Sequence, residues 1–393
     1  MQYESKNKAI EGLRGLAALM VVFSHIVLTF WPSLHSRSDC AAACKPWQYA
    51  VINSPLSFLY SGTFSVCVFF VMSGYVLSRT FFLTSDDAAI RQQFAKRYLR
   101  LAIPVLTCTL IVYVLAVAGL FVKDPLVPSF IGGMFAFEPS LWSAIAQGTW
   151  QSFFLSGLRY SSYDPVIWTM RIEFIGSLLT FALCLFAKGF RYKWLIYCLV
   201  IAAFLRTQGE SGLYFALFVI GVWLASNLGK PISNVLTAAL VIAGVFLGGY
   251  HEGSHFHALI GWLDVSAVLP GLNAYQVANA LAGVAVFVAV VRSPGLARLA
   301  AKFELLGTLS FPVYLLHLPI LATAGMASFV WLRSQDVSFS LSAAAAIITT
   351  ALVTGVSSLA FHRFVDRRAV RLSRQFADAC LHYDGQRGSK LSA

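Results

Sequence analysis

Arg14 and His25 stand inside the first membrane-length apolar run of the chain, IEGLRGLAALMVVFSHIVLTF over Ile10–Phe30. On a helix advancing about 100° per residue, their separation of eleven brings them within about 20° of one face, roughly 16 Å apart along the axis. An arginine at the centre of a span costs about 2.5–3.5 kcal/mol on insertion scales. Two ionisable groups on one face therefore look into protein or a wet cavity. There an imidazole can take a proton from a hydroxyl and a guanidinium can hold an anion. The plainer alternative is a pair satisfied within the bundle, with Arg14 reaching toward headgroups.

Four later segments also set polar groups in apolar surroundings. Phe69–Tyr75 reads FFVMSGY, where Gly74 permits close approach and Ser73 and Tyr75 offer hydroxyls. Lys96–Pro104 reads KRYLRLAIP and sets Lys96, Arg97 and Arg100 at a helix entrance. Such cations anchor a span or clamp phosphate, for which forked guanidinium donors are well shaped. Trp168–Glu173 reads WTMRIE, and Glu173 is an acid able to orient or charge-stabilise an imidazole. Ser310–His317 reads SFPVYLLH, a second intramembrane histidine three residues after Tyr314.

These groups need a membrane bundle to position them. Of 393 residues, 58% are hydrophobic and 12% charged, and mean hydropathy is +0.72. A soluble domain carries about twice that charge. The pattern predicts an all-α, polytopic transmembrane bundle of ten helices, at roughly 10–31, 60–83, 98–121, 165–187, 193–206, 212–228, 233–250, 274–291, 308–332 and 340–364. Residues 1–370 read as one membrane domain and 371–393 as a basic tail. The first run is too long for a cleavable signal peptide.

The net charge of +12 is distributed as a topology signal, which argues against nucleic-acid binding. Of 29 Lys and Arg, 21 fall on the side of both termini and six on the other, so the positive-inside rule puts both termini in the cytoplasm. Arg14 then lies near the cytoplasmic mouth and His25 past the midplane toward the outside. The outer loops carry Trp31, Trp47, Trp142 and Trp150, with Trp168 at a span edge, as a belt or as sugar-stacking surfaces. Loop 251–264 holds His251, Glu252, His255, His257 and Asp264, read as solvated; no metal is expected. Cys67, Cys108, Cys184 and Cys198 read as small packing residues. Cys40 and Cys44 share a loop and can pair in an oxidising compartment.

Taken together, these segments resemble the acyltransferase-3 family of integral membrane O-acyltransferases over nearly the whole chain. Arg14 and His25 fit its arginine–ten residues–histidine signature, in a GLRGLAAL context. FFVMSGYVL resembles its FFVLSGF segment, KRYLRLAIP its RxxRLxP entrance, WTMRIE its WSLxxE element and LSFPVYLLHLP its SYxxYLxH element. The departures are Tyr75 for phenylalanine, the basic Arg171, and Asp366 in FHRFVDRRAV where glutamate followed by Lys-Pro is common.

The resemblance implies transfer of an acyl group, usually acetyl, from cytoplasmic acetyl-CoA (acyl-CoA) to a hydroxyl of an envelope glycan, lipid-linked saccharide or small molecule, in the inner (plasma) membrane. Arg14, Arg97 and Arg100 would hold the coenzyme's phosphates, and Ser73, Gly74 and Tyr75 would wall its thin pantetheine arm. His25 would act as general base on the acceptor or carry the acyl group itself. Glu173 would orient it or hold the acceptor. Tyr314 and His317 would bind donor or satisfy each other. The rival classes are a transporter of lipid-linked sugars and a scaffold subunit. Against transport, the chain shows no internal repeat.

Overall fold

The computed structural model describes residues 2–35, 44–155, 163–227, 229–252, 254–263 and 265–391. The described residues are helical with no strand. Eleven principal helices follow one another: α1 (Gln2–Phe30), α2 (Gly62–Thr84), α3 (Asp87–Val117), α4 (Thr169–Phe186), α5 (Lys193–Thr207), α6 (Gly209–Ser226), α7 (Asn234–Gly248), α8 (Ala274–Arg292), α9 (Glu304–Ile320), α10 (Phe339–Phe361) and α11 (Arg367–Leu391). All ten expected segments are helices. Eight of them are long and apolar enough to cross a membrane, α4 starting from Pro165, α9 running on to Ser334 and α10 continuing into α11. The protein is a multi-pass membrane bundle. α5 and α7, at 15 residues each, rise about 22 Å against a hydrocarbon core of about 30 Å.

Two elements outrun their apolar runs. α3 begins at Asp87, where the Asp86 side chain accepts from the Ala88 amide at 2.8 Å. Its polar first turns lie outside an apolar window, so hydropathy alone starts the span near residue 98. The expected basic tail is the helix α11, which packs along those turns with Ala369, Ser373 and Ala377 buried. After α9, a π-helical stretch over Leu321–Gly325 joins it to a further helix, Met326–Ser334.

The pairing that organises the bundle is α1 on α9. A Cβ on Gly15 would sit 2.5 Å from the Leu306 Cβ and 2.6 Å from the Gly307 nitrogen, and one on Gly307 would sit 2.1 Å from the Glu11 carbonyl oxygen. Only glycine lets the two backbones come this close. The helices run parallel: ten residues beyond Gly15 and Gly307 lie His25 and His317, which meet at 2.8 Å. A second contact of the same kind joins α2 to α6, where Gly74 lies against the Phe218 carbonyl and Gly221 against that of Val71.

At the end of the bundle opposite α11, the loop expected in solvent is only partly so: Glu252 and His255 are exposed. His251 and His257 are buried. His251 stacks on Tyr60 with ring centroids 5.7 Å apart, and His35 meets the Tyr60 ring edge-on at 5.1 Å. Burial pulls His35 down from its ordinary value near 6.5 to about 4, and burial with repulsion from His35 and His257 pulls His251 to about 3. Cys44 is disulfide-bonded; Cys40, its expected partner, and Asp264 lie outside the described residues. Cys67, Cys108 and Cys184 are buried free thiols, whereas Cys198 faces outward from α5.

Two outcomes are expected. Gly307→Val forces α1 and α9 apart and lowers stability by about 1–3 kcal/mol, the usual cost of overpacking. Gly133→Ala, with nothing within 4 Å of its added carbon, serves as the unaffected control in the same melting series. The neutral histidines contribute stability that is present above pH 6.5 and is lost as pH falls toward their folded values, because the unfolded chain binds protons that the folded chain refuses. The melting temperature should drop between pH about 7 and about 5, and His251→Phe should flatten that slope. An unchanged slope would show that His251 contributes nothing to it.

Candidate active site

Two cavities run into the bundle from opposite ends. The first, of about 440 Å³, opens at the basic end beside Glu11, Arg14, Arg100, His362 and Asp366. It passes Arg97, Ser73 and Glu173 and ends at Thr169 and Tyr314. The second, of about 220 Å³, is lined by Ser24, His25, His35, Thr63, Trp168, Tyr214 and Tyr275. Val66 and Tyr314 line both, so the two cavities adjoin at a neck formed by these side chains. Tyr314 is fixed in that neck: its hydroxyl donates to the Val166 carbonyl at 2.9 Å and shares a 3.0 Å bond with Thr169.

His25 is held by His317, not by Glu173. Nδ1 of His317 lies 3.1 Å from the Val313 carbonyl, and Nε2 lies 2.8 Å from Nδ1 of His25. A carbonyl only accepts, so in a neutral pair His317 Nδ1–H donates to Val313. Its Nε2 then accepts from His25 Nδ1–H. This assigns the lone pair of His25 to Nε2, which has no hydrogen-bond partner among the described residues. Phe130, on the short helix Ser129–Met134, lies near-parallel to the His25 ring at 6.2 Å, and the His317 ring meets it edge to edge, near-parallel at 5.0 Å. The imidazole is therefore clamped in its plane with one nitrogen free. His317 and Tyr314 do not satisfy each other, since each has a separate partner.

The expected phosphate clamp divides in two. Arg97 is committed inside the protein: Nε donates to Ser177 Oγ at 2.7 Å, Nη2 pairs with Glu173, and its side chain is 14% exposed. Glu173 in turn accepts from Ser73 Oγ at 2.9 Å. Ser73, Arg97, Glu173 and Ser177 thus tie α2, α3 and α4 together at mid-depth, where Glu173 is occupied by Arg97 and Ser73. Arg14 and Arg100 are more open, 32% and 29% exposed. Each spends one nitrogen on a carboxylate, Arg14 on Glu11 at 2.6 Å and Arg100 on Asp366 at 2.7 Å. The other donors of both forks remain for a ligand at the mouth.

Gly74 and Tyr75 turn away from the cavity. They follow Ser73 by 100° and 200° on α2, which aims Gly74 at α6 and packs Tyr75 on Phe287 of α8. Phe130, His35 and Ser177 escaped the sequence reading because single residues in loops or apolar helices carry no periodic signal. Asp366 stands out in the sequence only as a departure from the family pattern, although its four-residue spacing from His362 matches their 3.1 Å contact. Among the described residues, no group of three His, Cys, Asp or Glu is placed to hold a metal ion.

The two cavities thus set a held histidine toward one end of the bundle and two open arginines at the other. Residues 7–361 match the acyltransferase-3 family, described as an acyltransferase domain, and the chain belongs to that family. It is similar to the O-acetyltransferase PaAT-1 of Phomopsis amygdali, with 23% identity over 444 aligned residues, covering 96% of this chain and 86% of that protein. No solved structure matches the chain.

Removing one partner of a buried pair leaves the other charge uncompensated, at a cost of about 3–5 kcal/mol. Glu173→Gln should therefore lower the melting temperature sharply, and Arg97→Met combined with Glu173→Leu should recover much of it. A Glu173→Gln protein of normal stability that has lost acyl transfer would give Glu173 a chemical role instead.

Proposed function

We propose that the chain moves an acyl group, acetyl by default, from acyl-CoA bound in the basic-end cavity to a hydroxyl presented in the cavity that holds His25. The observation that carries this reading is the meeting of the two cavities at Val66 and Tyr314. A long, thin, largely uncharged arm such as pantetheine fits a path walled by Val66, Phe69, Ser73 and Tyr314. Arg14 and Arg100 offer guanidinium donors to the diphosphate at the mouth. The thioester then reaches the neck from one side and the acceptor from the other.

In the transfer step His25 Nε2 takes the proton of the acceptor hydroxyl as its oxygen attacks the thioester carbonyl. The C–S bond breaks as the new C–O bond forms, and the imidazolium returns the proton to the departing thiolate. His317 keeps the reactive nitrogen of His25 unprotonated beforehand by accepting from the other one. The aromatic walls Trp168, Tyr214 and Tyr275 suit a sugar ring, in keeping with a glycan or lipid-linked saccharide as acceptor. The charge asymmetry of the loops supports cytoplasmic termini, an inner-membrane location and an acceptor on the outer side.

The test measures O-acyl ester in envelope, exported polysaccharide and small-molecule fractions of a deletion strain complemented with wild type or His25→Ala. Wild type should restore the ester. His25→Ala should leave protein abundance normal and reduce transfer by about 10²–10⁴-fold, the range for a positioned base. Near-normal transfer by His25→Ala would remove its role. No ester change in any fraction would remove the acyl-transfer reading.

A further inference from the structure

Along the seam between α3 and α11, two cations fall level with one another between two hydrogen-bonded rungs. The two helices run antiparallel. At one rung Gln92 Nε2 donates to Asp378 Oδ1 at 2.9 Å, and at the other Arg100 Nη1 donates to Asp366 Oδ1 at 2.7 Å. One turn along from the Gln92–Asp378 rung, the antiparallel register brings Lys96 level with Arg374. Arg374, Arg97 and Arg100 all repel Lys96, and Asp378 alone attracts it. Neither Lys96 nor Arg374 forms an ion pair among the described residues.

The charge count at the mouth makes this rung distinctive. Arg14, Arg97 and Arg100 each face a carboxylate, namely Glu11, Glu173 and Asp366. The cavity is therefore close to neutral inside, and one turn outside it two cations, Lys96 and Arg374, share one nearby carboxylate, Asp378. Facing cations on packed helices oppose the docking of α11 unless an anion bridges them. Lys96 is half-buried and Arg374 exposed, so the bridge is reachable from the aqueous end.

We infer that Lys96 and Arg374 form a phosphate site, and that it takes the ribose 3′-phosphate of the acyl-CoA donor. This rests on the donor reading proposed above. With pantetheine in the cavity and the diphosphate at Arg14 and Arg100, the nucleotide end must lie on the rim, where this rung stands. The tail helix is thereby a part of the donor site. A headgroup phosphate of an anionic lipid has the same chemistry and is the competing source.

The experiment measures binding of CoA and of 3′-dephospho-CoA by calorimetry to the full-length protein in nanodiscs, in zwitterionic and in anionic lipid. Wild type should bind CoA roughly tenfold more tightly than 3′-dephospho-CoA, the size expected of one charge-assisted contact. Arg374→Ala and Lys96→Ala should lose that preference, and Arg374→Lys should keep most of it. Equal binding of both ligands by wild type overturns the 3′-phosphate assignment and leaves the donor reading standing. Failure to bind either ligand overturns the donor reading and this assignment with it. A preference kept by Arg374→Ala, with altered binding only in anionic lipid, identifies a headgroup site and also overturns the assignment.

Discussion

The backbone contact between Gly15 and Gly307 sets the frame in which the rest of the site is built. A parallel helix pair has one free parameter along its axis, and a side chain at either position would change it. With both glycines in place, ten residues of each helix rise the same roughly 15 Å and deliver two imidazoles to one height. The arrangement around His25 depends on that registration. The Val313 carbonyl selects the His317 tautomer, His317 selects that of His25, and Phe130 holds the ring from its other face. An error of one residue in register would turn each histidine by about 100°.

Charge is arranged with the same economy. Each arginine on the basic-end cavity faces an acid, yet the three pairs do different work according to how many donors each fork has left. Arg97, with Nε and Nη2 both engaged and little exposure, is a brace between helices. Arg14 and Arg100, with one nitrogen engaged and about a third of the side chain open, keep the capacity to bind. Carboxylate partners also keep these cations in place while the site is empty, so binding a phosphate does not require ordering a free side chain.

Much of this was legible in the residues themselves. The ten helices follow from hydropathy, and the place of His25 and Arg14 on one face follows from their spacing. Partners across the bundle were harder to read. That His25 is served by His317, 292 positions away, depends on which helices adjoin, and a single chain's periodicity is silent on that. Glu173 was expected beside His25 because both look inward. The structure sends it instead to Arg97, whose charge in a low-dielectric interior is the stronger claim on a carboxylate. Gly74 shows the opposite limit. A glycine permits close approach of either a ligand or a backbone, and sequence cannot say which arrives; here it is the backbone of α6. The reach of α3 and α11 beyond their apolar runs was hidden because amphipathic helix at a surface has no hydropathy peak.

The neck at Tyr314 and Val66 has a consequence for the compartments on either side. Two cavities that adjoin at a neck filled by side chains are not an open channel. On the proposed reading an acyl fragment of a few atoms crosses while the carrier and the recipient each stay where they began. No alternation between inward-open and outward-open forms is required, which separates this chemistry from transport by a rocking carrier.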